Sequence, residues 1–127
     1  MIRIVQLGTP RLKDEGTRLG TVRRPPRGVK KQDFARLDYY DVWLPELAPS
    51  APVVSWAMSE PWTPQRWNTF AKKYRTELKD QSRLLELLAA LSKQTNFSVG
   101  CYCDDAERCH RSLLAEALRE EGAVIDE

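Results

Sequence analysis

Every cysteine and the single histidine of the chain fall within one stretch, Cys101-Tyr102-Cys103-Asp104-Asp105-Ala106-Glu107-Arg108-Cys109-His110-Arg111. Thiols ligate soft metals or act as nucleophiles once deprotonated. An imidazole exchanges protons near neutral pH, and a guanidinium offers a planar fork to two oxygens. Three chemistries therefore compete for this segment.

In the first, a phosphate or carboxylate sits at a helix N-terminus, held by its free N–H groups, His110 and Arg111. Asp104, Asp105 and Glu107 oppose an anion there, so the site would draw on Arg23, Arg24 and Arg27 from elsewhere in the chain. In the second, Cys101 and Cys103 lie two residues apart on one strand face and ligate zinc with Cys109 or His110. Adjacent residues on a helix point about 100° apart, so Cys109 and His110 can both serve only if they precede regular helix. The spacing also lacks the usual Cys-x2-Cys knuckle. In the third, the cysteines are small core residues, Cys109 packs with Leu113 and Ala117, and His110 is simply hydrogen-bonded.

The elements that would position these groups alternate between strand and helix. Ile2 to Leu7 reads as an opening strand stopped by Gly8 and Pro10, and a second strand is expected around Arg18 to Val22. The consecutive prolines of Arg23-Arg24-Pro25-Pro26-Arg27-Gly28 exclude helix and make an extended loop. Tyr39 to Leu44 alternates as a strand that Pro45 ends. Val53 to Met58 suggests a brief helix. Thr63 and Pro64 are suited to the N-cap and first position of a longer one, with Trp62 and Trp67 as a hydrophobic staple. Ser82 to Lys93 is apolar nearly all round and is expected to be enclosed. Phe97 to Cys103 reads as a buried strand. Asp104 and Glu107 are suited to cap the next helix, which runs through Leu114 and Leu118 to Gly122, and Ala123 to Ile125 can add a last strand. This order predicts an α/β fold with a mostly parallel sheet flanked by helices in a Rossmann-like three-layer arrangement. The Cys-His-Arg turn then lies outside the carboxyl end of a strand, where such sheets place ligands.

With 127 residues, residues 1–127 are expected to form one domain. The net charge of +2 excludes a protein that coats nucleic acid by bulk charge alone. That figure hides an asymmetry: residues 1–36 carry ten Lys/Arg against three Asp/Glu, and the remainder ten against fifteen. A basic first third is suited to an anionic partner. Three cysteines without a secretory signal do not suggest a disulfide framework and point to the cytoplasm. No apolar run is long enough to span a membrane.

The apolar strand ending at Cys101, the acidic spacer and Cys109-His110-Arg111-Ser112-Leu113-Leu114 resemble the family called domain of unknown function 488. Pro26-Arg27-Gly28-Val29-Lys30-Lys31 is similar to a segment near the start of one branch of it. The resemblance implies roles for Arg23, Pro26, Arg27, Gly28, Cys101, Cys109, His110 and Arg111. Where the family pattern often has a carboxylate two residues after the first cysteine, this chain has Cys103. Relatives that keep the histidine without the cysteines favour His110 and the arginines over thiol or metal chemistry. The family brings no established activity.

The expectation is therefore a small anionic ligand, such as a phosphate-bearing nucleotide, metabolite or nucleic-acid end. Arg23, Arg24, Arg27, Gly28 and Arg111 would bind it, with no cofactor or metal. If a reaction occurs, His110 is the candidate acid/base and Cys109 or Cys101 the candidate nucleophile. A non-catalytic nucleic-acid or protein-binding module and a structural zinc site are the alternatives. Oligomeric state is left open.

Overall fold

Alternating apolar residues give three neighbouring strands a common buried face. Ile2 and Ile4 of β1 (Ile2–Gln6), Leu19 of β2 (Thr17–Gly20), and Phe97 and Val99 of β4 (Phe97–Cys101) join one core cluster. β4, buried along its whole length, is the central strand. It pairs in parallel with β1 (Ile2↔Phe97 to Gln6↔Cys101) and with β2 (Thr17↔Phe97 to Gly20↔Gly100). The short strands β3 (Val42–Trp43) and β5 (Ile125–Asp126) complete a parallel sheet in the order β3-β2-β4-β1-β5. These relationships come from a computed structural model that describes residues 1–103 and 109–126.

Four helices, α1 (Ala51–Met58), α2 (Pro64–Lys79), α3 (Ser82–Ser92) and α4 (His110–Glu120), all contribute to the cluster on that face. The sequence signals for α2 operate as expected: Thr63 Oγ1 accepts from the Arg66 amide at 3.1 Å, and the Trp62 and Trp67 rings meet edge to face at 5.5 Å. Its i, i+3, i+4 stripe of Phe70, Ala71, Tyr74 and Leu78 is buried. The third layer, on the opposite face, is made of ordered loop. Leu7 lies over Gly100 and Tyr40 over Gly20, so close that a Cβ on Gly20 would stand 2.2 Å from the Tyr40 ring.

That loop layer encloses a buried ion pair. Arg18 is 0% exposed and Glu15 1%. Arg18 Nε and Nη2 donate to the two Glu15 oxygens at 2.7 and 2.9 Å, and Nη1 donates to the carbonyls of Thr9 and Asp38. Ser98 Oγ donates to Glu15 as well, at 2.7 Å. Burial pushes the Glu15 carboxyl up, but the hydrogen bonds from Arg18 and Ser98 and the Arg18 charge outweigh it and bring it down to about 2.

Several elements depart from the sequence reading. The strand expected over Tyr39–Leu44 is only Val42–Trp43. Tyr39 and Tyr40 lie outside the strand, just after a turn that ends at Asp38 with φ 63°. The expected enclosure of Ser82–Lys93 is not found: Leu85, Leu88 and Ala89 are buried, while Leu87 is 52% and Leu91 42% exposed. One face of α3 packs on the core, with Leu84 at its edge, and Leu87 and Leu91 face water. Helix α4 begins at His110, with Cys109 at the N-cap position in extended conformation. Asp104 and Glu107, read as its capping pair, lie outside the described residues.

Candidate functional site

At the carboxyl ends of β2 and β4 the chain is locked side by side. The Thr21 amide and hydroxyl both donate to the Gly100 carbonyl, at 3.1 and 2.9 Å. The two segments singled out by sequence, the Arg-Pro loop and the Cys-His-Arg turn, therefore leave the sheet as neighbours.

The Arg-Pro loop is pinned residue by residue. Trp43 Nε1 donates to the Val22 carbonyl at 2.7 Å. Arg23 donates through Nε to Pro49 O and through Nη2 to Pro45 O and Ala48 O, which gives its guanidinium a task within the fold. Tyr102 Oη donates to Arg24 O at 2.8 Å. Burial, with Tyr40 and Tyr39 adding, pushes the Tyr102 phenol up, so it remains a donor at neutral pH. Pro25 and Pro26 stiffen the next two positions, and Gly28 takes a left-handed φ of 72° that disfavours other residues. Exposed Arg24 and Arg27 are thus carried on an ordered support. Together with Pro25, Pro26, Tyr39 and Tyr102 they line a cleft of about 620 Å³. The Tyr39 and Tyr102 rings stand 6.3 Å apart at 72°, forming its aromatic wall. Sequence reading assigned no site role to either tyrosine. The signal was present in the aromatic at the residue after Cys101 and in the Tyr39-Tyr40 pair, but it was absorbed into strand patterns.

In the Cys-His-Arg turn, Cys101 Sγ and Cys109 Sγ are joined in a disulfide that ties the end of β4 to the N-cap of α4. This pairing departs from the expectation of separate thiols. Both cysteines are buried, in a small cluster with Leu7, Val22 and Tyr40. The exposed Cys103 brings a third sulfur, and all three lie within 4.8 Å of one another. His110 Nε2 is 2.6 Å from the Thr21 carbonyl, an acceptor, so this nitrogen carries the hydrogen and Nδ1 keeps its lone pair. Nδ1 lies 3.9 Å from Cys109 Sγ. The ring is held edge-on by Tyr74, with centroids 5.5 Å apart. Burial lowers the imidazole to about 4; the Thr21 carbonyl opposes that shift and Arg111 adds to it. His110 is therefore neutral at neutral pH.

Arg111 is only 5% exposed, and its Nη1 has no hydrogen-bond partner among the described residues. It lines a second cleft with Gln6, Ser112 and Arg119. The structure thus brings Arg24 and Arg27 together with the residue that follows Cys101. Arg23 anchors the loop from behind, and Arg111 is placed in a different cleft.

Fold and site together define a parallel α/β domain with a Cys-His-Arg turn at the carboxyl end of its central strand. The family model for DUF488-N3a, described as the active DUF488-N3 subclade, matches residues 2–122. The chain belongs to this DUF488 family, as the two sequence blocks at opposite ends of the chain implied. The uncharacterized protein Rv3073c of Mycobacterium tuberculosis and the uncharacterized protein Mb3100c of Mycobacterium bovis are each 30% identical to it over 105 residues, 83% of this chain and 82% of theirs. No solved structure matches it. No helix among the described residues is long and apolar enough to cross a membrane.

Proposed function

We propose that the chain binds a phosphate-bearing ligand, a nucleotide or a nucleic-acid end, in the cleft between the Arg-Pro loop and Tyr102. One observation carries this reading: Arg24 and Arg27 share that cleft with Tyr39 and Tyr102. Guanidinium forks suit phosphate oxygens, and aromatic rings accept a base face, worth roughly 1–3 kcal/mol per stacked base. The loop is pinned before any ligand arrives, so little ordering entropy is spent on binding. Its position outside the carboxyl ends of parallel strands is where such sheets bind ligands.

In this proposal the catalytic roles considered for His110, Cys101 and Cys109 give way to positioning roles. The imidazole hydrogen is committed to Thr21, and the two sulfurs are bonded to one another. The reading is accordingly one of binding, with Arg24, Arg27 and Gly28 as the loop residues that matter most.

Titration calorimetry with a 5′-phosphorylated single-stranded oligonucleotide, a nucleoside monophosphate and inorganic phosphate tests it. With two phosphates contacted, log K for the oligonucleotide falls with log[salt] with a slope of about −1.4. Arg24→Ala and Arg27→Ala each reduce that slope by about 0.7. Binding that survives both substitutions with an unchanged slope places the ligand elsewhere.

A further inference from the structure

The three sulfurs and the His110 ring suggest chemistry distinct from that of the cleft. We propose that, once the Cys101–Cys109 bond is reduced, Cys101, Cys103, Cys109 and His110 Nδ1 form a tetrahedral site for one Zn²⁺ ion.

Four features of the turn lead there. The sulfurs lie within 4.8 Å of one another, and Nδ1 lies 3.9 Å from Cys109 Sγ. Metal–ligand bonds of about 2.3 Å to sulfur and 2.0 Å to nitrogen place neighbouring ligand atoms of a tetrahedron roughly 3.5–3.8 Å apart, close to the 3.9 Å at which Cys109 Sγ and Nδ1 already stand. Second, the Thr21 carbonyl fixes the hydrogen on Nε2. That is the arrangement by which a backbone oxygen orients a metal-ligating histidine and leaves its other nitrogen basic.

Third, the crowding of adjacent Cys109 and His110 is eased at Cys109, whose extended backbone frees it from the helical offset of about 100°, although His110 already belongs to the helix. Cys109 sits before the helix at φ −121°, ψ 146°, and His110 is the first helical residue. The Cα atoms of Cys101 and Cys109 are 7.5 Å apart, wide enough for the two thiolates to stand either side of an ion. Fourth, three thiolates and a neutral imidazole around Zn²⁺ carry a net charge of −1. The buried guanidinium of Arg111 follows directly in sequence, acts electrostatically on His110 and has an Nη1 without a hydrogen-bond partner among the described residues. Its positive charge acts on His110, one of the four ligands, and so favours a net anionic centre there.

The chemistry balances with a dithiol as reductant. Two electrons and two protons pass from the dithiol to the Cys101–Cys109 bond, giving two thiols and a cyclic disulfide of the reductant. Metal binding then releases three thiol protons. Because Cys101 and Cys103 flank Tyr102, the ion would clamp the turn that carries the cleft's aromatic wall.

The test uses the full chain, reduced under anaerobic conditions, with its three thiols confirmed by titration and Co²⁺ alone as the probe. The expected result is one equivalent bound with tetrahedral visible bands and thiolate-to-cobalt charge transfer, both abolished by Zn²⁺. Cys103→Ser lies at an exposed position and leaves the fold intact by circular dichroism; it diminishes the charge-transfer band. His110→Gln weakens binding by at least roughly 10–100-fold, the range lost when even a ligand's support is removed. Absence of a tetrahedral spectrum in the fully reduced wild type overturns the proposal, as does a spectrum that Cys103→Ser leaves unchanged. Neither readout involves the phosphate ligand, so the two proposals fail separately.

Discussion

Tyr102 links the two halves of the candidate site. Its ring lines the cleft, its hydroxyl holds the Arg24 carbonyl, and its neighbours Cys101 and Cys103 belong to the sulfur cluster. Removing only the hydroxyl separates these contributions. Tyr102→Phe keeps the stacking face and gives up one loop tether, so affinity for the phosphorylated oligonucleotide falls by a few-fold, the scale of one net hydrogen bond of about 1 kcal/mol. Tyr102→Ala also removes the ring and costs roughly 1–3 kcal/mol. Equal affinities for the two variants, measured by calorimetry, would show that the ring contributes nothing. At this scale the sequence was informative about residue type and less so about partnership. Arg23, Arg24 and Arg27 look alike in sequence and were all read as ligand-binding; Arg24 and Arg27 line the cleft, whereas the donors of Arg23 serve Pro45, Ala48 and Pro49. The Cys101–Cys109 contact was not legible because it depends on where a strand end meets a helix start.

Among the elements, those with local signals were readable. Thr63-Pro64 and the Trp62–Trp67 staple mark the start of α2, and the buried strand expected over Phe97 to Cys103 is present but ends at Cys101, leaving Tyr102 and Cys103 exposed beyond it. Burial was harder to read: the leucines of Ser82 to Lys93 run around the helix, and only packing decides that Leu87 and Leu91 face water. Least legible was the Glu15–Arg18–Ser98 network. Its sequence spacing resembles an ordinary surface pair, and only β4 lying beneath it makes it internal. This network predicts an acid sensitivity. The folded Glu15 carboxyl lies at about 2 against an ordinary 4.5. Its contribution is therefore fully present above about pH 4.5 and is lost as pH falls towards 2, amounting to roughly 3 kcal/mol at 1.36 kcal/mol per unit. Glu15→Gln leaves Arg18 buried without its counter-charge and lowers stability at pH 7 by about 3–5 kcal/mol. In urea titrations between pH 5 and 2.5, the variant lacks the part of the pH slope that Glu15 supplies to wild type. An unchanged slope would mean that the pair does not form.

For the whole molecule, the basic first third remains meaningful after its charges are placed. Arg3, Arg11, Arg18 and Arg36 pair with carboxylates, several of them from that same third. The positive charge left for a partner is thereby concentrated on the loop carrying Arg24 and Arg27. The parallel sheet places that loop beside the Cys-His-Arg turn through the two hydrogen bonds from Thr21 to the Gly100 carbonyl. The convergence of two distant sequence blocks at one end of the sheet is the basis of the account. Its most direct test is thermal unfolding of wild type and the Arg24→Ala/Arg27→Ala double variant, each with a nucleoside monophosphate and a 5′-phosphorylated oligonucleotide. A ligand at a hundred times its Kd stabilises the fold by about 2.7 kcal/mol, so at least one of these raises the wild-type melting temperature by several degrees and leaves the double variant unmoved. If neither ligand stabilises wild type, or both proteins are stabilised equally, the cleft is not the binding site.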